Sequence, residues 1–115
     1  MATAAAGPFT SLGSTLTLPT APSPGSPAFS AVQSASMTVN WTAGANGTGE
    51  ALSYTAELST GAFPNSFSGN VSSANSALSL LFGTGGAGSA LSPNTTYYFQ
   101  VRAANSGGAS AFVGV

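Results

Sequence analysis

The sequence predicts an all-β antiparallel sandwich of about seven strands, and three observations carry that prediction. From Leu91 to Asn105 a turn holding Pro93 and Asn94 leads into strict alternation: Tyr97, Phe99, Val101 and Ala103 share one parity, Tyr98, Gln100, Arg102 and Ala104 the other. That is the period of a strand with one face in a core. Shorter segments of the same kind recur along the chain, separated by Gly, Asn, Ser and Pro, and no stretch has helical periodicity. At 115 residues without a cysteine, the chain is one domain, long enough to bury a single core unaided by metal or disulfide.

Residues 1–18 form an extended N-terminal segment in which Phe9, Leu12, Leu16 and Leu18 make a β-prone apolar strip interleaved with Thr15 and Thr17. Such a strip needs a surface: it docks on its own domain as an extra edge strand, or adds a strand to a neighbouring copy. Residues 19–27 carry Pro19, Pro22, Pro24 and Pro27, which deny helix and favour extended backbone, so this stretch reads as a linker into the domain at 28–115. Phe29–Val32 is the first short strand. In Ser36–Trp41, Met37, Val39 and Trp41 alternate with Thr38 and Asn40, and Trp41 is the expected core anchor. After a Gly/Asn-rich loop at 44–49, Leu52, Tyr54, Ala56 and Leu58 face inward against Ser53, Thr55, Glu57 and Ser59. Residues 61–75, with Phe63 and Phe67, have room for a short edge strand. In Ala77–Phe82, Leu78, Leu80 and Phe82 are expected inside, and Ala109–Val115 closes the sheet as one final strand.

The spacing Leu91-x-Pro93-x-Thr95-x-Tyr97 sets Tyr97 just past a corner, where its hydroxyl can reach back to upstream backbone, as in the tyrosine corner of sandwich domains. With Trp41, Tyr54 and the tail Ala103, Asn105 and Gly107, the chain from Pro22 to Val115 resembles a fibronectin type III domain. It departs from that pattern in a glycine-rich insertion at Gly83–Gly88 and a last strand that stops at Val115. The resemblance makes the third and sixth strands neighbours, so a cross-strand ion pair between Glu57 and Arg102 is expected, worth ~0.2–1 kcal/mol. The family's Arg-Gly-Asp attachment tripeptide is absent, since Arg102 is followed by Ala103.

Glu50, Glu57 and Arg102 are the only charged side chains, 3% of the chain, against roughly 25% in an ordinary soluble domain. A net charge of −1 removes the repulsion that keeps folded proteins apart, so the surface should self-associate, or it belongs to a longer low-charge secreted polypeptide. One arginine cannot neutralise the several phosphates that nucleic-acid binding needs. No apolar run is long enough for a membrane span, and Met1–Ala6 is too short and uncharged to read as a signal peptide.

Enzyme chemistry lacks its parts. Without His, Cys, Asp or Lys there is no base for a serine nucleophile, no imidazole or thiolate ligand and no Schiff-base amine. Only a two-glutamate glycosidase is formally open, and Glu50 in a loop and Glu57 on an outward face read as surface charge. Gly83, Gly85 and Gly88 satisfy G-x-G-x-x-G, but a sandwich corner follows where a dinucleotide site needs a helix. No cofactor or metal is expected. Sequons stand at Asn40, Asn46, Asn70 and Asn94, with Asn46 and Asn70, in loops, the better glycosylation acceptors.

These readings converge on a noncatalytic structural protein, extracellular or at the cell surface. It would self-assemble as a homo-oligomer or polymer, a filament or surface layer, by adding its N-terminal strand to a neighbouring copy. The alternative is a binding or spacer module, carbohydrate-associated or adhesive, of a larger secreted or phage structural protein. Glycans, by way of outward Tyr98, would then be the partner.

Overall fold

A computed structural model describes residues 9–63 and 71–115. Its strands are β1 (Ser23–Ser30), β2 (Ser36–Thr42), β3 (Ser53–Ser59), β4 (Val71–Asn75), β5 (Ser79–Gly83), β6 (Tyr98–Asn105), β7 (Gly108–Ala109) and β8 (Val113–Gly114). A three-stranded sheet of order β1-β2-β5 faces a five-stranded one of order β4-β3-β6-β7, in which β8 also pairs β6. Every strand pair is antiparallel. The fold is the all-β sandwich that the alternation predicts.

The alternating residues meet in one core. Val39 and Trp41 from β2, Tyr54, Ala56 and Leu58 from β3, Phe82 from β5, and Phe99, Val101 and Ala103 from β6 are buried, with Leu91 beneath the corner. Trp41 packs on Tyr54 with ring centroids 5.8 Å apart, and Phe99 lies 5.3 Å from both Phe29 and Phe82. Such tilted pairs suit the aromatic quadrupole. Fully burying a side chain such as Leu58 or Phe82 contributes about 1.5–3 kcal/mol.

Four expectations need correction. The proline-rich stretch is more than a linker: β1 begins at Ser23, and Ser23 and Pro24 already pair with Thr42 and Trp41. Prolines are tolerated there because β1 is an edge strand, and its register with β2 breaks between Pro24 and Phe29. Leu78 stands outside β5 and is 47% exposed, because only its carbonyl joins the sheet, accepting the Trp41 N–H at 2.9 Å. The final strand is split. Ser110 both donates its N–H to the Ala103 carbonyl and accepts the Ala103 N–H on Oγ, interrupting the ladder between β7 and β8. Finally, Gln100, not Arg102, faces Glu57 across β3 and β6, and Arg102 faces Thr55. Gln100 Nε2 donates to Glu57 Oε1 at 2.6 Å, while the Arg102 guanidinium lies 4.8 Å above the Phe112 ring. The edge strand expected within residues 61–75 is β4; Phe67 lies outside the described residues.

Candidate assembly surface

The two ends of the sandwich differ. At one end, β2 runs into the 43–52 loop and β6 into the turn at Asn105–Gly108; at the other lie the β1–β2 loop and the corner before β6. The N-terminal segment is held at the first end by three polar contacts. Asn105 Nδ2 donates to the Thr17 carbonyl at 2.9 Å. Asn46 takes Thr20 from both sides, accepting its N–H on Oδ1 at 2.8 Å and donating Nδ2 to its carbonyl at 3.2 Å. A second bond from Nδ2 to the Ala43 carbonyl, 2.6 Å, fixes that amide to the loop. Glu50 steadies the neighbouring turn, its two carboxylate oxygens accepting the Ser106 N–H and hydroxyl at 2.6 and 2.8 Å. Leu16 and Leu18 rest against the glycines of this end, Gly49, Gly107 and Gly108. A β-carbon at Gly108 would come within 2.8 Å of Leu18 Cδ2, so the turn admits the segment because it lacks a side chain there.

The four apolar residues of the N-terminal strip are thereby divided. Leu16 and Leu18 sit at the anchored root, whereas Phe9 is 100% and Leu12 96% exposed. The segment from residue 9 to 22 forms no strand with its own sheets. It is an arm, rooted at Thr17–Thr20.

The opposite end is shaped by the corner. The Tyr97 hydroxyl oxygen accepts the Ser92 N–H at 2.8 Å, and Asn94 turns the chain at φ 50°. Between this corner and the β1–β2 loop lies a cleft of about 280 Å³, in which Val32, Met37, Leu91 and Tyr97 alternate with polar side chains of both loops, Gln33, Ser34, Asn94 and Thr96 among them. The glycine-rich insertion folds back on β5. Gly83 N–H donates to the Ala87 carbonyl and Ala87 N–H to the Leu81 carbonyl, so a turn, not a helix, follows the G-x-G-x-x-G pattern.

The remaining sequence candidates are dispersed. Trp41, Tyr54 and Leu91 are core, and Pro93 lies in the exposed corner turn. Glu50 and Glu57 are each taken by a different partner, Ser106 and Gln100. Among the described residues no cluster of three His, Cys, Asp or Glu occurs, and no helix is long and apolar enough to cross a membrane. Of the sequons, Asn40 binds the Pro27 carbonyl and Ser30 Oγ, Asn46 is engaged as above, Asn94 is exposed, and Asn70 lies outside the described residues. Asn46 as the clamp of the arm was not legible in the sequence; a loop asparagine in N-G-T carries no sign of a partner 26 positions away.

The fibronectin type III domain model matches residues 21–113. The chain belongs to the fibronectin type III family. No curated protein matches it. Fibronectin type III domains are binding and structural modules, commonly extracellular and typically noncatalytic, in keeping with a chain that has so few reactive side chains. The matched span begins at Ala21, beside the clamped Thr20, so the arm is an addition to the family's sandwich and β1 is part of it.

Proposed function

We propose that this fibronectin type III domain is a noncatalytic structural subunit that self-assembles outside the cell into a filament or surface layer, its N-terminal arm adding to a neighbouring copy. The observation that carries this reading is the pair Phe9 and Leu12, fully solvent-exposed on an arm whose root is clamped by Asn46 and Asn105. Apolar side chains held away from their own domain gain by burial elsewhere, at about 25 cal/mol per Å². The near absence of charge leaves little repulsion between copies. Because Leu16–Thr20 stay with their own domain, the part available to a neighbour is Phe9–Thr15. Deleting residues 1–15 should leave a folded monomer and abolish the polymer, checked by light scattering and electron microscopy. Polymer that survives the deletion would refute the reading.

A second reading, a glycan-binding or spacer module, draws on Tyr98. Its ring is exposed at the start of β6, beside Gln100, and an exposed aromatic can stack on a sugar. Glycan-array binding by the deleted monomer, lost in Tyr98→Ala, would favour it.

A further inference from the structure

The exposed large apolar side chains among the described residues lie at the two ends of the sandwich. Phe9, Leu12, Leu18 and Leu78 are at the arm end; Val32, 62% exposed, and Tyr98 are at the corner end. Glu57 and Arg102 sit mid-strand between them, and Glu50, at the arm end, is held by Ser106. Neither the arm from Phe9 to Thr20 nor the wall of the corner cleft carries a charge. The molecule thus has an apolar projection at one end and, at the other, an uncharged recess where Val32, Met37, Leu91 and Tyr97 stand among polar side chains such as Gln33, Asn94 and Thr96.

We infer that the corner cleft is the receptor for the arm: Phe9 and Leu12 of one copy seat between Val32 and Tyr97 of the next. This rests on the assembly reading above and names its acceptor. The arm does not fill its own cleft. Its root lies beyond the far end of β2, which spans about 20 Å, and Phe9 and Leu12 are left 100% and 96% exposed. Phe9 is in contact with nothing on its own domain. A second copy is therefore the occupant. The contact joins one end to the other, so it is heterologous and leaves a free arm and a free cleft after every addition, which generates an open filament rather than a closed dimer.

The chain has no cysteine, so engineered thiols report the contact without background. The Phe9→Cys/Val32→Cys double variant, oxidised under native conditions, should give a ladder of covalent oligomers on a non-reducing gel. Phe9→Cys mixed with Val32→Cys should stop at dimers of one chain of each kind. A ladder absent, or crosslinks confined to arm–arm pairs, would overturn the assignment. Independently, Val32→Glu should abolish end-to-end assembly, read by light scattering, while leaving circular dichroism and thermal midpoint unchanged, because Val32 lies outside the core. If deleting residues 1–15 gives monomer but Val32→Glu still polymerises, the assembly reading stands and the cleft is not the receptor. If polymer survives the deletion, or the intact chain is monomeric at every concentration, both fall.

Discussion

The hydroxyl oxygen of Tyr97 accepts the backbone N–H of Ser92 at 2.8 Å, closing a corner across Pro93 and Asn94 and fixing where β6 begins. Tyr97→Phe keeps the ring against the core and removes only that acceptor. The expected loss is about 0.5–1.5 kcal/mol, a fall of several degrees in thermal midpoint for a domain of this size. Urea denaturation of the two proteins checks it. An unchanged midpoint would mean that the corner shapes the turn without stabilising the fold.

That corner was legible because its residues announce it within seven positions, and the core of β2, β3 and β6 because period-2 alternation survives wherever one face is buried. What the sequence hid were features set by partners distant in the chain. β1 looked like a linker because prolines mask an edge strand that only its pairing with Thr42 and Trp41 reveals. Parity places Leu78 inside, yet parity has no meaning one residue before the strand starts. Gln100 displaced Arg102 as the partner of Glu57 because the register sets Glu57 opposite Gln100, and parity alone leaves two-residue shifts open. The candidate assembly strip is split, Phe9 and Leu12 being exposed while Leu16 and Leu18 rest on their own domain, a division that the apolar pattern of the strip does not announce. The Asn46 clamp, which decides where the arm's free part begins, gave no local signal.

Gly83 shows how strictly the insertion is built. Its φ is 98°, and a β-carbon there would collide with the Ala35 carbonyl oxygen. That oxygen cannot retreat freely, since it accepts the N–H groups of both Thr84 and Leu91. Gly85, at φ 83°, has nothing within 4 Å of the same position. Gly85→Ala should therefore cost only the backbone penalty, roughly 1–2 kcal/mol, and Gly83→Ala clearly more, because the collision and disturbed hydrogen bonds add to it. Equal losses in parallel denaturation curves would contradict the packing argument.

Asn46→Ala separates the arm from the fold. It removes both bonds to Thr20 and the bond to Ala43, but Asn46 lies outside the core cluster. At about 0.5–1.5 kcal/mol for each of the two bonds to Thr20, hydrogen-exchange protection of the Thr20 amide should fall by roughly five- to a hundredfold, and protease should nick between Leu16 and Ala21. Core amides such as Val101 should keep their protection. Loss of protection throughout the domain would show that the clamp supports the sandwich itself.

Burial of Tyr54 against Trp41 raises its phenol above the ordinary value of 10.0, because the anionic form loses its hydration. The folded state thus holds this proton to a higher pH than the unfolded chain does. Above the unfolded value the unfolded chain binds fewer protons, so stability falls as pH rises. The contribution is fully present below pH 10 and is lost progressively as pH climbs through the raised folded value. Tyr54→Phe keeps a ring beside Trp41 and has no proton to lose. Urea midpoints at pH 8 and pH 11 should therefore fall further for the parent protein than for Tyr54→Phe. Equal falls would place the alkaline sensitivity elsewhere in the chain.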